Sequence, residues 1–277
     1  MSDRIIIADS SCDLNKGLSK KLNVELVPFN IDVNGTSYMD DGTMSIVDFL
    51  KEVDKSAKAP TTAAPSPNLF MSKFKGAKEI FIITISSKLS ATYGNAKLGK
   101  TMYLEDNDAK IHVFDSKSAV SGETAIAIKI KECLDKNLSF GEIVETVEKF
   151  ISNMKTYFIL DKFDTLVKNG RMSKFTGTLA KALSFKPVMT ATNGEIEVHT
   201  KTRGYNKAAS KLVEIIGEEG NDFENRTLVI GHCQAPDKAK ALKKDIAKKY
   251  NFIDIEIVET GMLSSVYANT GGIVLAF

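Results

Sequence analysis

"EIFIITISSKLSATYGNA" (Glu79–Ala96) reads as a buried strand that opens into a helix. Glu79–Thr84 is a β-branched and aromatic run with no polar alternation, the pattern of a parallel strand covered on both faces. Chains that turn from such a strand into a helix often do so through a glycine-rich phosphate loop. Here the junction carries Ser86, Ser87, Ser90 and Thr92 instead. The spacing predicts a helix near residues 91–104, with Ser90 at its start.

The same alternation extends through the first half. "RIIIAD" (Arg4–Asp9) and "KIHVFDS" (Lys110–Ser116) read as strands. "SIVDFLKEVDKS" (Ser45–Ser56) has helical apolar spacing, with Ser45 as candidate N-cap and Asp48 three residues on. "GETAIAIKIKECLDKN" (Gly122–Asn137) is helical, and "SFGEIVETVEKFISNM" (Ser139–Met154) opens on a capping box of Ser139 and Glu142. "KAPTTAAPSPNLF" (Lys58–Phe70) holds three prolines within eight residues, which excludes a regular helix or a central strand. Alternating strands and helices predict an α/β unit with a mostly parallel sheet.

Past residue 155 the rhythm changes. "YFILD" (Tyr157–Asp161) is a strand, and "KPVMTATNGEIEVHTKTR" (Lys186–Arg203) is a hairpin around Asn193-Gly194. A helix at 205–219 is followed by "RTLVIGHCQ" (Arg226–Gln234), a helix "APDKAKALKKDIAKKY" (Ala235–Tyr250), the strand "FIDIEIVET" and a last strand in "GGIVLAF" (Gly271–Phe277). This half predicts an α+β domain with a largely antiparallel sheet. The expected division is residues 1–155 and 156–277, in keeping with a length of 277 residues.

The balance of 37 basic against 35 acidic side chains, a net charge of +2, argues against a dedicated nucleic-acid binder. No apolar run is long enough to span a bilayer, and the N-terminus shows no signal peptide, so the expectation is a cytoplasmic protein that is not integral to a membrane. Cys12, Cys133 and Cys233 are odd in number and scattered, which fits a reducing compartment without disulfides. No Cys/His spacing suits a metal and no motif calls for a cofactor. Walker A and nucleophile-elbow patterns are absent, and His112, His199 and His232 lie in strands with no Ser or Asp partner nearby in sequence.

The hydroxyl junction admits two uses. Ser90 can cap the helix by accepting a backbone N–H near residue 93. The same geometry, free N–H donors with hydroxyls beside them at the positive end of the helix dipole, can hold an anion. Neutral donors suit one carboxylate better than a triphosphate. The proline-stiffened "PTTAAPSP" (Pro60–Pro67) is a surface loop or, if it packs beside the junction, brings Thr62 to the same anion. In "LVKNGRMSK" (Leu166–Lys174) Asn-Gly marks a helix end. Arg171 and its lysines form either a solvated basic turn or a contact for an acidic partner. Arg203, just before a helix, can meet a ligand anion or an acidic side chain.

Taken in order, "IIIADSSCDL" (Ile5–Leu14), "PTTAAPSP", "ISSKLSATY" (Ile85–Tyr93), "VFDSKSAVSG" (Val113–Gly122), "LVKNGRMSK" and "KPVMTATNGEIEVHTKTRGYNKA" (Lys186–Ala208) resemble the DegV family of bacterial fatty-acid-binding proteins along nearly the whole chain. The resemblance implies a parallel-sheet (Rossmann-like) α/β domain and an α+β domain with a mainly antiparallel sheet. A long-chain fatty acid would lie between them, with its tail in an apolar tunnel. It implies that the carboxylate is held at Thr62, Ser90 and Tyr267, with Arg171 and Arg203 near the carboxylate or facing a partner. That partner is a separate fatty acid kinase, which forms an acyl phosphate. The chain is then a binding subunit with no catalytic residues of its own.

The sequence departs from the family pattern at Ala63-Ala64, where Ser-Gln is usual, and at Ala91, where the junction usually has glycine. Tyr267 stands at a usual histidine, with Asn269 and Thr270 in place of Gly-Pro. Tyrosine donates a hydrogen bond but never carries a positive charge. Lipid binding therefore tolerates the change more readily than the kinase-coupled step. A stand-alone phosphotransferase or acyl-processing enzyme, and a regulatory module for another small anion, are the competing functions.

Overall fold

The structure, a computed structural model, describes residues 3–172 and 186–277. The Ser173 and Lys174 end of the basic turn lies outside those residues. In chain order the first part comprises β1 (Arg4–Asp9), α1 (Lys16–Leu22), β2 (Val24–Val27), β3 (Asn30–Val33), β4 (Thr36–Met39), α2 (Ile46–Lys55), β5 (Thr61–Ala63), α3 (Pro67–Met71), β6 (Glu79–Thr84), α4 (Thr92–Leu104), β7 (Lys110–Asp115), α5 (Ser121–Asp135) and α6 (Phe140–Asn153). The rest comprises β8 (Thr156–Ile159), α7 (Asp164–Lys168), β9 (Val188–Thr192), β10 (Glu195–Thr200), α8 (Tyr205–Glu219), β11 (Thr227–His232), α9 (Pro236–Ala247), β12 (Asp254–Glu259), α10 (Met262–Ala268) and β13 (Ile273–Ala276).

Four strands form a wholly parallel sheet in the order β2-β1-β6-β7. The run in β6 is uninterrupted because both faces are covered. Phe81 and Ile83 pack with α5 and α6, while Ile80 and Ile82 pack with Phe70, Phe74 and Ala96 on the other side. The order reverses about β1, and crevices at such switch points, outside the carboxyl ends of the strands, are where open α/β sheets bind ligands.

The second sheet runs β10-β9-β8-β13-β11-β12 and is antiparallel except for the β11–β12 pair. Asn193 and Gly194 both take positive φ, 50° and 85°, as the two-residue hairpin turn requires. Helices α8 and α9 cover one face through Leu212, Ile216, Leu242 and Ile246. The other face meets α5. Ser121 accepts the Gly231 N–H (2.9 Å) and donates to the Val274 carbonyl (2.9 Å), so α5 is shared by both sheets. The fold is thus a parallel α/β part and a mainly antiparallel part with helices.

Three local expectations are revised. The Pro-rich stretch is neither helix nor central strand throughout, but it contributes an edge strand, β5, to a small sheet ordered β4-β3-β5, and then α3 with Pro67 in its first turn and Ser66 as N-cap. Ser45 precedes α2 but makes no side-chain cap, and the Asp48 carboxylate pairs with Lys51 at 2.7 Å instead of reaching back to close a capping box. Ser90 is one residue short of the cap position of α4, which Ala91 occupies. The capping box of Ser139 and Glu142 forms as read, and Asn169-Gly170 ends α7, with Gly170 at φ 74°.

Candidate functional site

A cavity of about 250 Å³ opens where the carboxyl ends of β1, β6 and β7 face the second sheet. The parallel sheet and its loops supply Ser11, Ile85, Leu89, Ser118 and Val120 to its wall. The second sheet supplies Phe158, Leu160, Ile196 and Val274, and α10 supplies Leu263, Ser264, Tyr267 and Ala268. The wall is mostly aliphatic and aromatic, with hydroxyls gathered at particular points.

Thr62, Ser90, Arg171 and Tyr267 all line this cavity. Thr62 Oγ1 lies 3.0 Å from the Tyr267 hydroxyl. Asn169 holds the tyrosine in place: its Nδ2 donates to the Pro60 carbonyl at 2.9 Å, which orients the amide, and also to the Tyr267 hydroxyl at 3.4 Å. When the tyrosine donates to Thr62, the threonine proton is left for the cavity.

Ser90 Oγ accepts the Thr92 N–H at 3.3 Å and lies 2.8 Å from Thr92 Oγ1. When Thr92 donates, the Ser90 proton is likewise free for a ligand. The Ala91 cap puts no side chain across the first turn of α4. Arg171 anchors its Nε on the Leu89 carbonyl at 3.1 Å and bonds the Asn169 carbonyl, and among the described residues it pairs with no carboxylate. Two hydroxyl donors and a guanidinium without an acidic partner can offset the hydration lost by one buried carboxylate. Arg203 is not brought to this cavity. It is exposed, in a separate surface depression with Lys201, Lys207 and Lys211.

Behind Ser11 and Ser264 lies a feature the sequence did not announce. Asp9, Asp13, Asp40 and Glu123 are all buried. Burial pushes the Asp9 carboxyl up to about 7, and it raises Asp13, Asp40 and Glu123 as well. Among the described residues neither Glu123 oxygen has a hydrogen-bond partner of normal geometry, and the Asp9 charge beside it adds to the effect of burial. Cys12 sits among these carboxyls, and burial together with their charge pushes its thiol well up, away from nucleophilic use. The histidines are structural: His112 bonds Glu148, His199 bonds Glu219, and His232 Nδ1 accepts the Ala235 N–H. Asn169, which bonds Tyr267, and Asp40, which holds the start of α10, were not singled out from the sequence. Asn169 is visible in "LVKNG" only as a helix end, and Asp40 carries no sequence signal.

Comparison with known proteins adds an independent observation. The family profile "Uncharacterised protein, DegV family" matches residues 5–277. The chain belongs to the DegV family. A DegV domain-containing protein of Streptococcus pneumoniae is 34% identical over 276 residues, 98% of each chain. A DegV family protein of Ruminococcus gnavus, whose crystal structure was refined with vaccenic acid, superposes with a TM-score of 0.95 at 34% identity over 100% of both chains. The S. pneumoniae Fatty Acid Kinase B3 protein, loaded with linoleic acid, superposes with a TM-score of 0.91 at 33% identity, covering 100% of this chain and 99% of the other. Among the described residues no helix is long and apolar enough to cross a membrane, and no cluster of His, Cys, Asp or Glu has metal-binding geometry.

Proposed function

We propose that this DegV family member binds one long-chain fatty acid in the cavity between the 1–155 and 156–277 units and presents its carboxylate to a separate kinase. The observation that carries this reading is the wall itself: aliphatic over most of its area, with Thr62, Ser90, Tyr267 and Arg171 lining the same space. A ligand matched to it is a long apolar tail ending in one anion. Relatives that hold vaccenic and linoleic acid in the same fold support that match.

Each buried methylene contributes about 0.8 kcal/mol, so the tail supplies the affinity and the polar groups fix the orientation. Thr62 and Ser90 donate to the carboxylate, Tyr267 holds Thr62 in place, and Arg171 neutralises the charge. In the coupled step a carboxylate oxygen attacks the γ-phosphorus of a nucleotide held by the kinase, giving an acyl phosphate and the nucleoside diphosphate. The name of the S. pneumoniae neighbour supports a kinase as partner. Arg203 and its lysine neighbours are proposed to face that partner, and the three buried cysteines suit a cytoplasmic protein.

The test is titration of the lipid-stripped chain with oleate, followed by addition of a fatty acid kinase and ATP. Saturable 1:1 binding, with acyl phosphate formed only when both proteins are present, is expected. ATP or acyl turnover by the isolated chain would instead establish the stand-alone enzyme.

A further inference from the structure

The small sheet β4-β3-β5 grips α10 at both ends. Thr62, on β5, pairs across from Ile31 on β3, and Ile31 pairs across from Tyr38 on β4. Directly opposed residues share a face, and so do residues two apart on one strand. Asp40 continues β4 through its N–H bond to the Phe29 carbonyl at 2.9 Å, so it projects from the same face as Tyr38, Ile31 and Thr62. That face lies on α10, with Ile31 in one apolar cluster with Met262, Leu263 and Val266.

The two ends of the grip are polar. Asp40 Oδ1 accepts the Met262 N–H at 2.9 Å and its Oδ2 accepts the Leu263 N–H at 3.0 Å. Thr62 meets the Tyr267 hydroxyl at 3.0 Å. The small sheet therefore meets α10 both at its first turn and at its cavity-facing tyrosine.

We infer that Asp40 is a positioning residue for the ligand-carboxylate site: by holding two consecutive N–H groups of α10 it fixes the height and rotation of the helix, and so the reach of Tyr267 to Thr62. This rests on the lipid reading above. Asparagine cannot replace it, because its amide would set a donor against one of the two N–H groups.

The test is oleate affinity of the full chain carrying Asp40→Asn in three backgrounds. Because Asp40 acts through Tyr267, the loss should be about 10-fold in the wild-type and Ser90→Ala backgrounds, and under about 2-fold in Tyr267→Phe. An equal loss in all three, or an unchanged affinity in wild type, overturns the inference. If Asp40→Asn does not fold, Gly261→Ala serves. A Cβ there would lie 3.1 Å from Asp13 Oδ1 and 3.3 Å from Asp40 Oδ1, so both carboxyls must give by a few tenths of an ångström while Asp40 itself is left in place. About 3-fold weaker binding that vanishes in Tyr267→Phe is expected, and unchanged affinity overturns the role. A wild-type chain that takes up no oleate removes the lipid reading, and this role with it, a result distinct from either.

Discussion

Thr62 and Tyr267, 205 residues apart in sequence, meet through their hydroxyls at 3.0 Å on the wall of an apolar cavity. The bond joins a strand of the first half to a helix of the second. If it also aims the Thr62 proton at a ligand, Tyr267→Phe should weaken oleate binding by about 5- to 10-fold, the worth of one hydrogen bond of roughly 1 kcal/mol. Thr62→Val should cost about as much, and the double variant little more than either. Calorimetric titration of the four chains checks this.

Thr62→Ala with Ser90→Ala should remove both hydroxyl donors. Oleate affinity should fall by roughly 100-fold, since each hydrogen bond to a charged group is worth about 1.5–3 kcal/mol and water restores part of it. Neither change opens a core cavity, so the thermal midpoint should move by no more than about 2 °C. Unchanged affinity would remove the proposed carboxylate site.

Arg171 is expected to read charge. Arg171→Gln should weaken oleate by about 10-fold, on the scale of a charge-assisted hydrogen bond, and methyl oleate hardly at all. Competition between acid and ester, measured in both chains, separates this from loss of packing.

The buried carboxyls predict an inverted pH dependence of stability. Asp9 is raised to about 7, and Glu123 and Asp13 are raised too, chiefly by burial. The folded chain then holds protons that the unfolded chain releases near pH 4. That stability is present below the unfolded value and is lost as pH rises through the folded one. His232, lowered by burial, works in the opposite sense near neutrality. The carboxyls outnumber it, so the midpoint should be higher at pH 5.5 than at pH 8, by about 4–8 °C for a change on the order of 2 kcal/mol. Glu123→Gln should flatten that slope, which differential scanning at the two pH values measures.

Much of the fold is legible because the signals are local. The uninterrupted run Glu79–Thr84, the Ser139–Glu142 box and the Asn193-Gly194 turn each decide an element within a few residues. The β3–β4 hairpin carries the same kind of turn at Asn34-Gly35, but its strands are only four residues each, and of the two only β3 alternates. Helix α10 is seven residues long and buried nearly all round, so it has no polar face for a period to reveal. Thr62 and Ser90 stand out in the sequence as hydroxyls at their junctions, and both line the cavity. The hold of Asn169 on Tyr267, and the gathering of Asp9, Asp13, Asp40 and Glu123, depend on four or more distant segments meeting, which spacing does not encode.

Whether the cavity holds a fatty acid is read by native mass spectrometry of the chain purified from a bacterial host. A species heavier than the apo chain by one long-chain fatty acid is expected, with the same acid recovered on extraction, and its loss in the Thr62→Ala, Ser90→Ala chain. A wild-type chain that carries no lipid and stays at its apo mass after incubation with oleate would contradict the lipid reading.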